Sequence, residues 1–458
     1  MAFPSTLNEL PSGTQATLDL IAEFDQCFLV GFANLSQQHQ QTLNALQRVF
    51  RGTPLQQPLT DACAAISALE FVERHFSVLA AVRAALQGVL FDTLQTRARE
   101  VIGRAAVPEF IAESKPPLAP AHLQTWLESV RLLLMEIALV GYARLDASTL
   151  IPFLATLGQI QEEPLLMRQA ALLTGFLNEL IGLVPVAESS TVPSYRWVDL
   201  WTRAMVGAMR PTLLDNPKIV SGSLEVLGLD LRHHANLVSF TAYGLLTSDS
   251  QVQLVRLTLS AYKVNAISDD EVWLLFPDAA PLLDAFAQNK TLDLSDIPLL
   301  PTGDLLWSGN GKVGSKYNLM KRAAEFFAVD AASAIASCLV HPIDRHPIQL
   351  AEPIFLSDYR IAQDNTPSLS WGDAGALPIA TEQISPLSEV MEATLHSSQM
   401  FGLLRFDAGR WAVQPLAVTV QGKTFFTGQK AAKILKSPPK TSTVGILQER
   451  ASRLLRAK

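Results

Sequence analysis

The sharpest chemical signal in this chain is the run Gly309-Asn310-Gly311-Lys312-Val313-Gly314-Ser315-Lys316. It satisfies the G-x-G-x-x-G spacing and nearly reproduces a P-loop with its Ser and Lys exchanged. Backbone N–H groups in such a loop, set just before a helix N-terminus, can cradle a phosphate. Gly309, Gly311, Lys312, Gly314 and Ser315 are therefore the candidate cofactor-binding residues of a nucleotide-binding reading. The flanks argue the other way. A dinucleotide unit needs a strand, the turn, a helix and a second strand ending in an acid. Here only Leu305-Leu306-Trp307 precedes the run, and an alanine-rich helix continues through Asp330. A flexible glycine loop ahead of a helix accounts for the same residues.

A second cluster, Cys338, His341, Asp344 and His346, has the spacing C-x2-H-x2-D-x-H. All four are metal-ligand types, but the usual spacing pairs of a zinc site are missing and no distant second pair completes them. Pro342 and Pro347 place both histidines in a loop that leaves a helix, so no metal is expected. Asp230, His233 and His234 fail more simply: in a strand, adjacent histidines point to opposite faces. No HExxH, GxSxG or CxxC pattern is present, so no catalytic residue and no cofactor is assigned.

The elements that must position these groups divide the chain near its middle. Residues 1 to about 212 read as helical, with Ile66, Leu69, Val72, Phe76, Leu79, Val82 and Leu86 recurring at three- and four-residue steps along one helix over Asp61–Leu90. Three prolines in 113–120 separate a first helical domain (1–112) from a second helical group (121–212). No fixed-period repeat is apparent. After Pro211 the pattern changes to strands: Ser223–Leu246 as a pair, Gln251–Val264, a short Glu271–Phe276, and a meander from Gly402 to Phe426 through the turn Asp407-Ala408-Gly409. A further hairpin is expected over Ser368–Ile379, and one long helix over Lys316–Leu339. Short turns favour antiparallel pairing. The fold class is multidomain, α plus α+β: a helical N-terminal half, an α+β domain (216–428) built mainly as an antiparallel β-meander with one long helix, and a basic tail (429–458).

Composition narrows the class of partner. Residues 421–458 carry nine Lys or Arg against one acid, Glu449, which leaves the rest of a chain of net charge −7 at −15. A cationic end on an acidic body attracts anions whatever the net charge. Lys430, Lys433, Lys436 and Lys440 flank Pro438-Pro439, and Arg450, Arg453 and Arg456 lie along a short amphipathic helix; these seven are the candidate partner-binding residues. Nucleic acid is the weaker partner, since no aromatic-basic motif accompanies the tail. Three separated cysteines, Cys27, Cys63 and Cys338, suit a reducing cytoplasm. Charges interrupt both apolar stretches, Leu123–Tyr142 and Ala170–Val186, so each reads as a core helix rather than a membrane span.

Four segments of the second half occur in a recognisable order: Trp273–Leu282 (WLLFPDAAPL), His346-Pro347-Ile348, Trp371–Ile379 (WGDAGALPI), and Phe401-Gly402 leading to Trp411–Leu416 (WAVQPL). In this layout, over about residues 120–425, the chain resembles the portion downstream of the zinc finger in bacterial SWIM zinc-finger proteins. The resemblance implies a place beside MoxR-type AAA ATPases and von Willebrand A proteins. It does not carry over zinc or finger-dependent DNA binding, because the scattered cysteines cannot form a C-x-C-xn-C-x-H ligand set. The expected function is thus a cytoplasmic, non-catalytic protein-interaction or adaptor component of a MoxR/von Willebrand A chaperone-like system. The alternatives are a nucleotide-binding enzyme using Gly309–Lys316 and a nucleic-acid-binding protein using the tail.

Overall fold

The computed structural model describes residues 3–105, 121–160, 163, 166–186, 194–209, 217–233, 237–264, 266–267, 270–328, 339–363, 366–384, 389–439 and 442–456. Its first half is helical: α1 (Phe3–Asn8), α2 (Thr14–Val30), α3 (Gln37–Val49), α4 (Gln56–Ser67), α5 (Glu73–Val101), α6 (Ala121–Val140), α7 (Ala147–Ile160), α8 (Met167–Leu183) and α9 (Ser194–Met209). The single helix expected over Asp61–Leu90 is two. Helix α4 ends in a left-handed residue, Leu69 (φ 60°), with Glu70 N–H donating back to the Ala65 carbonyl at 2.8 Å. That six-to-one bond closes the last turn as a C-terminal glycine motif would, here on a leucine. Helix α5 passes the length and composition test for a membrane span. More than half of that apolar stretch (56%) is buried inside the protein, and Phe76, Leu79 and Val82 are fully enclosed among its neighbours.

The helical half contains an internal repeat that the sequence reading did not see. Leu29–Ser36 (LVGFANLS) and Leu139–Asp146 (LVGYARLD) share five of eight residues. In both, a helix stops at a glycine of positive φ (Gly31 85°, Gly141 78°), whose N–H closes on the carbonyl four residues earlier. In both, the residue three beyond donates to the glycine carbonyl, and Ser36 or Asp146 then caps the next helix. The aromatic that follows each glycine meets a ring on the last helix of its own unit: Phe32 on Phe76 at 5.4 Å, and Tyr142 on Trp197 at 5.1 Å, both edge-on at about 81°. Units α2–α5 and α6–α9 therefore repeat one another. The two turns back onto each other so tightly that a Cβ on Gly141 would strike the backbone of Gly31, and one on Gly31 the carbonyls of Leu139 and Val140, which requires glycine twice.

The second half holds β1 (Lys218–His233), β2 (Leu237–Ser248), β3 (Gln251–Tyr262), α10 (Ala280–Ala287), β4 (Lys290–Leu299), β5 (Lys312–Lys316), α11 (Leu319–Ala328), β6 (Ala351–Ser357), β7 (Arg360–Gln363), β8 (Pro367–Ser370), β9 (Ala376–Pro378), α12 (Glu389–Thr394), β10 (Gln399–Asp407), β11 (Arg410–Val420), β12 (Lys423–Phe426), α13 (Ala431–Lys436) and α14 (Thr443–Arg456). Three sheets form, with orders β3-β2-β1-β4-β5, β12-β11-β10-β6 and β7-β8-β9. Every strand pairing within them is antiparallel. The mixed architecture matches the expected fold class. One expected strand is absent: Glu271–Leu275 is a 3-10 turn, which sets Trp273 and Phe276 against Phe240 (5.7 and 4.9 Å) rather than into a ladder. The long helix expected from Lys316 begins at Leu319 and is described to Ala328; residues 329–338 lie outside the described residues.

The two halves share one core. The second part of α5 (Phe91, Leu94, Ala98) and Leu7 pack with Leu350, just before β6, and with Met400, Leu404, Trp411 and Val418 from the second sheet. Buried charge reinforces the contact. Arg99 and Arg104 both reach Glu352 Oε1, at 2.8 and 2.7 Å, while at the surface Arg345 meets exposed Asp92 at 3.0 Å. Asp199 of α9 is a hub: Arg203 Nη2 stands at 2.7 Å, Arg83 Nη1 at 3.7 Å and His346 Nε2 at 3.9 Å. Arg83 also holds Asp25 in a bidentate fork, Nε donating to one carboxylate oxygen and Nη2 to the other, each at 2.8 Å. Removing one partner from a buried pair of this kind costs about 3–5 kcal/mol, because the other charge is left uncompensated.

Candidate functional site

The first two sheets cross where β1 runs over β11. Gly228 makes the approach possible: a Cβ there would lie 2.6 Å from Leu416 Cβ and 3.1 Å from the Phe401 ring. Just beyond it, Asp230 is buried between the sheets. It accepts from Arg405 Nη2 (2.8 Å), Gln414 Nε2 (2.7 Å) and Arg232 Nε (2.9 Å). Burial works against its ionised form, but Arg405, Arg232 and the Gln414 amide outweigh it and hold the carboxyl below its usual range. Asp230 is therefore a fixed anion that ties β1 to β10 and β11.

Above this ion cluster lies a small groove, about 70 Å³ in volume, whose mouth is open to solvent. Leu229, Trp273 and Phe426 supply its apolar wall, and Gln383, Gln414 and Gln429 bring amides to it. Among the described residues Gln429 Oε1 has no hydrogen-bond partner, although the atom is shielded from water. On the rim, Glu389 Oε1 pairs with Lys430 Nζ at 3.1 Å. The turn after β12 can hug the wall because Gly428 takes φ 82°; a Cβ would meet Leu229 at 2.8 Å and Trp273 at 3.2 Å. Amides over an apolar wall can bind a chain or ligand by hydrogen bonding and shape. The described lining pairs no nucleophile with a base, the arrangement that nucleophilic catalysis uses.

The residues singled out from sequence are distributed differently. Gly309–Lys316 is not a loop feeding a helix. Lys312–Lys316 is strand β5 at a sheet edge, paired through a bulge with β4. Gly309 takes a positive φ (81°) at a bend, whereas the other two glycines are packing positions: a Cβ on Gly311 would meet Leu292 at 2.8 Å, and one on Gly314 would strike Thr291 Oγ1. Ser315 N–H donates to Thr291 Oγ1 (3.1 Å), and α11 is capped by Asn318 Oδ1, which accepts from Lys321 N–H at 3.0 Å. The Ser315 N–H thus already has a protein partner, and Lys312, Gly314 and Ser315 lie in a strand rather than in a turn at a helix N-terminus.

The histidine loop serves the fold as well. His341 Nδ1 accepts from Ile343 N–H at 3.4 Å and His346 Nδ1 from Ile348 N–H at 3.1 Å, each capping a 3-10 turn. Asp344 reaches Arg203 at 3.7 Å. Cys338 and His234 lie outside the described residues, and His233 is exposed at the end of β1. Among the described residues, no group of three or more His, Cys, Asp or Glu could hold a metal. Burial pushes the thiol of Cys27 up to about 12, helped by Asp25, and that of Cys63 up to about 11, so neither is a nucleophile near neutrality.

The tail begins as part of the body. Ala431 and Ala432 of α13 are buried, and Val444 of α14 joins the β-half core. Lys430 stands on the groove rim, and Lys436 pairs with Asp284 of α10. Lys433 and Arg450 are exposed; Lys440 and the side chains of Arg453 and Arg456 lie outside the described residues. Sequence reasoning found Lys430 but missed the rest of the groove, whose residues come from five separated segments with no shared motif. No family model matches this chain, and neither the curated proteins nor the solved structures yield a match.

Proposed function

We propose that this chain is a non-catalytic interaction protein that docks a partner in the groove between its first two sheets, with the basic C-terminal residues beside it. One observation carries the reading: the buried acids Asp25, Asp199, Asp230 and Glu352 are each engaged by arginine. A buried acid whose oxygens are taken up by an arginine is spent on holding the fold together, so these acids act as structural ties. What stays open to a visitor is the groove, with apolar walls and amides as in the centre of a protein interface. The resemblance to SWIM-associated proteins directs the search for that partner to MoxR-type AAA ATPases and von Willebrand A proteins of a bacterial cytoplasm.

The test is copurification from a bacterial host of the tagged chain and of Gln429→Trp, which fills the groove. The reading expects an AAA ATPase or von Willebrand A protein with the parent chain and its loss with the variant. A parent chain that retains neither would overturn the proposed partners. Retention undiminished by Gln429→Trp would overturn the groove as the dock.

A further inference from the structure

Strand β3 is an edge strand of twelve residues whose pairing with β2 runs from Leu237↔Tyr262 to Ser248↔Gln251 without a bulge. Its outward side is only partly covered. Arg256 N–H donates to the Gly303 carbonyl at 2.9 Å, and Leu305 N–H donates to the Arg256 carbonyl at 2.7 Å. This short parallel cover is clamped by Arg256 on Asp304, at 2.9 and 2.8 Å. Main-chain groups alternate sides along a strand, so the N–H and C=O of Thr258, Ser260 and Tyr262 face the same way as those of Arg256. Among the described residues they have no partner there. Their side chains are exposed, Tyr262 at 64% and Val264 beyond it at 50%.

Such an edge is a pairing template unless it is blunted. The opposite edge of the same sheet is blunted: β5 is five residues long, bulged, and carries exposed Lys312 and Lys316. Residues 257–262 of β3 (LTLSAY) have no charge, no proline and no glycine. We infer that this stretch pairs antiparallel with the same stretch of a second copy, about a two-fold axis through Ser260. The fit is a matter of length and register. Among the described residues the cover at Arg256 leaves 257–263 free, a segment centred on Ser260. The dyad sets Ser260 against itself and Thr258 against Tyr262 of the second copy, the three outward-facing residues in mutual hydrogen bonding. On the core side it brings half-buried Leu259 against Ala261 of the second copy, and it places no charge opposite a like charge. The contact is smaller than the standard interface of about 1,600 Å², so the pair is weak and concentration-dependent. This inference does not depend on what occupies the groove.

The axis makes a charge swap diagnostic, since any residue at position 260 faces its own copy. Sedimentation velocity over a concentration series, with hydrogen exchange of the 257–263 segment, reads both association and its site. The parent chain should show a rising sedimentation coefficient and slowing exchange in that segment as concentration increases. Ser260→Lys and Ser260→Glu should each weaken self-association about fivefold, and an equimolar mixture of the two should restore it. A parent chain that stays monomeric with concentration-independent exchange would overturn the inference. So would association that neither variant alters, or that mixing does not recover.

Discussion

Asp199 and His346 show how side chains that look chemical can be structural. His346 Nδ1 accepts a backbone N–H, its Nε2 faces Asp199, and the ring is buried beside Arg83 and Arg203. Burial is the main cause that pushes its pKa down to about 4; the two arginines add to it and Asp199 opposes it. An unfolded histidine titrates near about 6.5. Between that value and 4 the unfolded chain binds a proton that the folded one does not, so acidification through this window costs stability; below about 4 this group adds no further loss. Fully developed, the cost is on the order of 3 kcal/mol. His346→Asn keeps an acceptor for Ile348 N–H and removes the titration. Chemical denaturation from pH 7 to 4.5 should therefore show a shallower fall in stability for the variant, and parallel falls would contradict this role. The sequence made His341, Asp344 and His346 visible by their spacing. It hid Asp199 and Arg203, which lie more than a hundred residues upstream and decide what the histidine loop does.

Strands and glycines belong to the next scale. The alternation of Val252, Leu254, Leu257 and Leu259 made β3 legible, and the Asp407-Ala408-Gly409 turn did the same for β10 and β11. Gly309–Lys316 misled because a glycine kept small for a neighbouring strand has the same letter as one that cradles phosphate. Only Leu292 and Thr291 across the ladder tell them apart. Titration calorimetry with ATP and with NAD should accordingly give no binding heat for the parent chain or for Lys312→Ala. Saturable heat that the substitution abolishes would restore the nucleotide reading. Gly228 is the opposite case, silent in the sequence and central in the fold. Gly228→Ala pushes a methyl into Leu416 and Phe401 where the sheets meet, and should cost about 1–3 kcal/mol by overpacking. An unchanged unfolding midpoint would show that the sheets have room to part there.

At the scale of the whole molecule, two repeated helical units and a three-sheet half are joined by α5, which is built into the core of both. The repeat was within reach of the sequence, since LVGFANLS and LVGYARLD lie 110 residues apart. A search for periodic arrays passes over a single duplication whose remaining helices have diverged. The basic tail was legible as charge but not as structure: Ala431, Ala432 and Val444 bury part of it, and Glu389 and Asp284 engage Lys430 and Lys436. The resulting body is tied by paired charges, and a groove lies at the sheet crossing. Copurification of the parent chain and Gln429→Trp from a bacterial host tests that account most directly. It predicts an AAA ATPase or von Willebrand A protein retained by the parent and released by the variant; a parent chain that retains neither would contradict it.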